Sequence, residues 1–191
     1  MKIFLTAFTC AAALAITTPV LARQPIPTVK HLDLQRFMGR WYVIASIPTR
    51  MEREGYNAVE HYTLEDNGEI CTRFRLRQGG FRQPVKQINS TGEVRNGTGN
   101  AEWSIKLFWI LHLQYKVAWL GKDYQQVIVA RDKRDHVWFM ARKPHVSDAD
   151  YQAMLQRITD MGYDTSKLVK VPQQWPEPYT SPDDEKPESC D

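Results

Sequence analysis

The sequence predicts an all-β chain, an eight-stranded up-and-down antiparallel barrel with one C-terminal α-helix packed outside it. Three observations carry that prediction. Short segments alternate apolar and polar residues, turns rich in Gly, Asn and Asp join them, and only one later segment has helical spacing. Consecutive short strands joined by hairpins suit an up-and-down barrel or a sandwich.

Residues 1–22 stand apart from this pattern. Lys2 begins a short basic start, residues 3–16 are apolar with Thr6, Thr9 and Cys10 as mild interruptions, and Val20-Leu21-Ala22 supplies cleavage positions. That is the form of a secretory signal peptide. The run is too short to span a bilayer, and no later stretch reaches the ~20 apolar residues a span needs. Cys10 raises the alternative of a lipidated cysteine, but Phe8 stands where a small residue is wanted and the apolar run continues to Ile16. The expected location is periplasmic or secreted, with cleavage near Ala22; an outer-membrane lipoprotein is the alternative.

The organisation expected after residue 22 is a lead over 23–31, a barrel and helix over 32–172, and a disordered tail over 173–191. The lead contains Pro25 and Pro27, and Trp41 then opens the first strand immediately after Gly39. A second strand over 58–64 turns at Glu65-Asp66-Asn67-Gly68 into a third over 70–77. Further strands follow over 87–94, 101–108, 115–120, 125–130 and 136–142, with turns at 96–100, 121–123 and 132–135. Ser147 is then a suitable N-cap, and Tyr151, Met154, Leu155, Ile158 and Met161 recur at helical spacing until Gly162. Residues 169–171 suit one more short strand. The remaining chain is rich in Pro and acid.

Alternation decides which face is inside. Ile70, Thr72, Phe74 and Leu76 share one face of the third strand, while Cys71, Arg73, Arg75 and Arg77 share the other. A membrane barrel would crowd those arginines inward with few acids to match. The apolar face is therefore the interior and the Arg face the wet outside. An eight-stranded barrel is either filled by side chains or holds one small ligand, and periodicity leaves both open.

Charge and motif content narrow the chemistry. The chain has 25 Lys and Arg against 22 Asp and Glu. Removing Lys2 with the leader makes the balance closer still, which argues against a nucleic-acid partner. His31, His61, His112, His136 and His145 are scattered, so no metal site is expected. No phosphate-binding loop, dinucleotide fingerprint or nucleophile elbow occurs, so no cofactor is expected. Glu60 shares the face of Tyr62; it is either neutralised or bound to something polar inside the barrel, or it sits near the open end in water. Export leaves Cys71 and Cys190 in an oxidising compartment, where they pair with each other, pair between molecules or stay reduced.

Gly39-Arg40-Trp41-Tyr42 at the start of the first strand resembles the Gly-x-Trp signature of the lipocalins. Trp138-Phe139-Met140-Ala141-Arg142-Lys143-Pro144 matches the family's distal Arg at the end of its last barrel strand. The likeness runs from about Leu32 to Pro172 and is closest to bacterial lipocalins related to apolipoprotein D. The family's middle signature departs, reading Lys122-Asp123-Tyr124, which puts a receptor-facing role for that loop in doubt.

The resemblance implies structural roles for Gly39, Trp41 and Arg142, with the Arg lying across the indole at the closed end. It places a ligand above them, among Val43, Ala45, Tyr62, Phe74, Leu107, Tyr115, Val117, Trp119, Trp138 and Met140. The implied function is non-enzymatic carriage or storage of a fatty acid, lysophospholipid or other small lipid in the cell envelope, with peripheral outer-membrane contact left open. A haem-like or pigment ligand is one alternative. A lipocalin-fold enzyme is another, with Glu60 its one inward acid. Arg50, Arg53, Arg82 and Lys86 fall in segments bordering the open end and suit either an anionic head group or a solvated surface.

Overall fold

The computed structural model describes residues 24–107, 111–177 and 190. A one-turn helix α1 (Leu34–Phe37), which alternation does not signal, leads into β1 (Gly39–Ile47). There follow β2 (Gly55–Leu64), β3 (Ile70–Gln78), β4 (Val85–Val94), β5 (Glu102–Leu107), β6 (Leu111–Leu120), β7 (Gln126–Ala130) and β8 (Val137–Ala141). Each strand pairs antiparallel with the next, and β1 pairs with both β8 and β2, so the sheet closes on itself. Closure removes the exposed edges that an open sheet would carry. The leader and residues 178–189 lie outside the described residues, as does Phe108.

Two apolar clusters divide the molecule. The inner one gathers Phe37, Trp41, Val43, Tyr62, Ile70, Phe74, Trp103, Val117, Val129 and Met140, so the apolar face does point inward. The outer one joins Ile44, Ile128, Val137 and Phe139 to Met154 and Ile158 of α2 (Asp148–Asp160). Ser147 caps that helix by accepting from the Asp150 amide, and Gly162, with φ +83°, takes the chain out of it.

Alternation fails at two bulges. The register of β1 against β8 shifts between Val43 and Ala45, and that of β6 against β7 between Val117 and Trp119. An extra residue reverses which face later side chains take. Ala45 therefore lies opposite Phe139 on the helix side, and Trp119 opposite Ile128. Neither faces the barrel interior, contrary to the expectation from strict alternation. Trp119 instead lies under the Arg157 guanidinium of α2, 4.6 Å from its ring centre.

The lead and the tail both belong to the wall. Ile26 is buried in the outer cluster, and its amide donates to Asp132 Oδ1 at 2.7 Å. The backbone then crosses so close to Gly99 that a Cβ there would stand 2.0 Å from the Lys30 carbonyl oxygen. At the other terminus β9 (Val169–Lys170) pairs with Ala45 and Ser46 of β1.

Disorder does not begin at 173, because residues 173–177 are packed. β1 and β2 pair directly only from Gly39 to Tyr42, and beyond that point the tail fills the seam. Gln173 Nε2 donates to the carbonyls of Val43 (2.8 Å) and Ala58 (3.1 Å). Asn57 exchanges side-chain hydrogen bonds with both backbone groups of Gln174, and Trp175 packs edge-on against Tyr42. Glu177 reaches the Arg face, 2.6 Å from Arg77 and 3.2 Å from Arg75. The Arg77 side chain has no exposure at all, so the Arg face is not uniformly wet. Cys190 forms a disulfide with Cys71, which resolves the three alternatives for the thiols.

Candidate functional site

The closed end of the barrel is built around Trp41. Gly39 has φ +88°, a conformation that favours glycine, and it turns the chain into β1 with its open face toward Arg142. Trp41 Nε1 donates to the Phe37 carbonyl at 2.8 Å. Arg142 lies across the indole with its Cζ 3.8 Å from the ring centre and donates to the carbonyls of Arg40, Arg36 and Phe37 at 2.8–2.9 Å. Burial lowers its guanidinium to about 10, leaving it cationic at neutral pH. Phe37 lies beside Trp41 and presents its edge to Trp103. These residues are a floor, as the resemblance implies. Tyr124 supports it from outside, its hydroxyl accepting from the Asp33 amide while Arg36 covers its ring.

Above the floor is a cavity of about 320 Å³, whose mouth is lined by residues 49–52 of the β1–β2 connection and by Arg131 and His136 of the β7–β8 connection. Six of the ten residues expected to meet a ligand line it: Tyr62, Phe74, Leu107, Tyr115, Trp138 and Met140. Val43 and Val117 sit in the inner core but do not line it, and Ala45 and Trp119 are turned away by the bulges. Ile88, Ile105, Leu111 and Leu113 complete the apolar wall. Ile88 and Ile105 were readable from alternation in their strands. Leu111 and Leu113 were not, because β6 starts four residues before the expected position.

Polar groups occupy the cavity at two levels. At the mouth stand Arg50, Arg131, His136 and Glu52, whereas Arg53, Arg82 and Lys86 do not line it. Glu52 is held in place, accepting from the Thr49 amide at 2.6 Å and from Trp138 Nε1 at 3.0 Å. Arg131 contacts Asp135 at 3.3 Å, while its buried Nε has no hydrogen-bond partner.

Farther in are Glu60, Tyr62, Thr72, Ser90 and Tyr115. The Tyr115 hydroxyl donates to that of Tyr62 at 2.9 Å, and burial holds both phenols well above their usual range. Burial, and secondarily the charge of Glu52, pushes the Glu60 carboxyl up to about 8. Its buried Oε2 has no hydrogen-bond partner, so of the two readings of Glu60 the desolvated one holds. Among the described residues no group of three or more His, Cys, Asp or Glu side chains is placed to hold a metal.

Comparison with known proteins agrees with this geometry. Residues 32–173 match the family model described as a lipocalin-like domain. The chain is 30% identical over 171 residues to the outer membrane lipoprotein Blc of Escherichia coli (strain K12), covering 85% of this chain and 94% of that protein. It is 29% identical over 174 residues to temperature-induced lipocalin-1 of Arabidopsis thaliana, covering 86% and 92%. Against apolipoprotein D of Macaca fascicularis it is 28% identical over 158 residues, covering 78% and 80%. Among solved structures, insecticyanin of the tobacco hornworm Manduca sexta superposes with a TM-score of 0.63 at 15% identity, covering 81% and 87%. Lobster apocrustacyanin A1 gives 0.59 at 14% identity, covering 76% and 82%. A Gly-x-Trp floor clamped by a distal Arg, an eight-stranded barrel open at one end and a match over most of the chain lead to one conclusion: this chain belongs to the lipocalin family.

Proposed function

We propose that this protein is a non-enzymatic carrier or store of a small hydrophobic or amphiphilic molecule, a fatty acid or lysophospholipid, in the cell envelope. The observation that carries the reading is the cavity itself. Its volume is near the lower end for ligand sites, its wall is dominated by apolar side chains, and it opens at one end. A barrel meant only to be filled would not leave such a space beneath an open mouth. Each methylene transferred from water into it contributes about 0.8 kcal/mol.

Tyr62, Phe74, Leu107, Tyr115, Trp138 and Met140 are the proposed apolar contacts, and Arg50 and Arg131 meet an anionic head group at the mouth. Export through residues 1–22 places the protein in the periplasm or outside the cell. The similarity to an outer membrane lipoprotein supports work in the envelope, including peripheral membrane contact.

Displacement of a fluorescent fatty acid, combined with native mass spectrometry of protein purified from its own envelope, tests the reading. Micromolar displacement and a co-purifying lipid are expected. An empty barrel with no displacement refutes it.

A further inference from the structure

The cavity is not apolar throughout, and its polar groups are unevenly satisfied. Register places Glu60 opposite Trp41 and Phe74, and places Tyr62, Thr72 and Ser90 side by side one inward-facing step nearer the floor. Two of these groups have no protein partner for a buried atom, Glu60 Oε2 and Thr72 Oγ1. Thr72 is 6% exposed, and both side chains line the cavity. A chain tip consisting only of methyl and methylene groups would leave both atoms desolvated and unpaired, each at a cost of a lost hydrogen bond. At the opposite end, Arg131 Nε is a third buried polar atom without a partner, and Arg50 lines the same mouth. Unpaired polar atoms thus stand at both ends of one apolar passage.

From this arrangement we infer that the ligand is polar at both ends: an apolar acid whose anionic group meets Arg50 and Arg131 at the mouth and whose far end carries a hydroxyl read by Glu60 and Thr72. The inference rests on the carrier reading and narrows it from lipids in general to hydroxylated apolar acids. A hydroxyl matches the inner end because it both donates and accepts. It can donate to Glu60 Oε2 and accept from Thr72 Oγ1. Burial keeps the Glu60 carboxyl largely protonated near neutral pH, so a neutral partner suits it better than a second ion. Tyr62 accepts from Tyr115, so each phenol oxygen has one partner, and Glu60 Oε2 and Thr72 Oγ1 are the inner atoms with none.

The test compares matched pairs of ligands: decanoic, tetradecanoic and octadecanoic acids and their ω-hydroxy derivatives. Competition against a fluorescent fatty acid is measured on the wild-type protein, Glu60→Leu, Glu60→Gln and Thr72→Val. At the chain length that spans the cavity, the hydroxy acid should bind the wild type about tenfold more tightly than its parent. That preference should vanish in Glu60→Leu, shrink in Thr72→Val and persist in Glu60→Gln, whose amide still pairs with a hydroxyl. An unchanged far-UV circular dichroism spectrum and cooperative urea unfolding of Glu60→Leu would show that the barrel is intact. Parent and hydroxy acids binding the wild type equally at every length would overturn this inference while leaving the carrier reading in place. No binding of either series would overturn both.

Discussion

Replacing Glu60 with Gln should make the protein more stable, and by an amount that grows with pH. In the folded barrel the carboxyl titrates near 8, against 4.5 for an ordinary glutamate. Between those values the native protein holds a proton that the unfolded chain has released, so wild-type stability falls as pH rises through the window. The slope is about 1.4 kcal/mol per pH unit, giving on the order of 5 kcal/mol across the window. The amide cannot ionise and keeps the shape of the protonated acid. Urea unfolding of both proteins followed by tryptophan fluorescence, from pH 4 to pH 9, gives the difference curve directly. Taking the difference cancels the contributions of groups that do not sense Glu60. The difference should be near zero at pH 4, rise with pH and level off above pH 8. Parallel stability curves across the range would refute the desolvated assignment of Glu60.

Arg142→Met should lower stability by about 3 kcal/mol, because it removes three hydrogen bonds to carbonyls and the contact with Trp41; urea unfolding measures it. Glu177→Gln should cost about 1.5–3 kcal/mol in the same assay, since it removes the carboxylate charge facing the buried Arg77 guanidinium, which keeps its bond to the Gln83 carbonyl. Cys190→Ser opens a bridge between residues 119 apart and should cost up to about 5 kcal/mol under oxidising conditions, with no effect once the wild type is reduced. Trp119→Ala should lower the melting temperature and leave fatty-acid displacement unchanged, whereas Trp138→Ala should weaken displacement; equal effects on displacement would place both side chains inside.

Most of the barrel was legible because strand period and turn chemistry are local. The Ile70 to Leu76 alternation, the Glu65 to Gly68 turn and the Ser147 cap each depend on residues within a few positions of one another. Gly39, Trp41 and Arg142 were legible through their resemblance to a family signature, and in the structure Arg142 lies across the Trp41 indole. The misplaced residues follow from non-local causes. A single extra residue at Ile44 or Ala118 reverses facing for the rest of the strand, and nothing in the flanking sequence marks either bulge. Arg77 was read as exposed because its acid partner lies 100 residues away in a tail whose Pro and acid content suggests disorder. Whether the interior is filled or hollow depends on the sum of many side-chain volumes, which no single stretch reveals.

The seam between β1 and β2 has a consequence for how the protein is made. Asn57 waits for Gln174, and Cys71 for Cys190, so groups in the first half of the chain depend on residues 117 and 119 positions later. All eight strands are complete once Ala141 has emerged, yet the carbonyls of Val43 and Ala58 still lack Gln173. Sealing of the wall therefore needs residues that emerge after every strand of the barrel, and the Cys71–Cys190 bond cannot form until residue 190 is present. A chain stopped short of Gln173 would hold every strand and the outer helix in its sequence but would lack the side chain that bridges Val43 and Ala58.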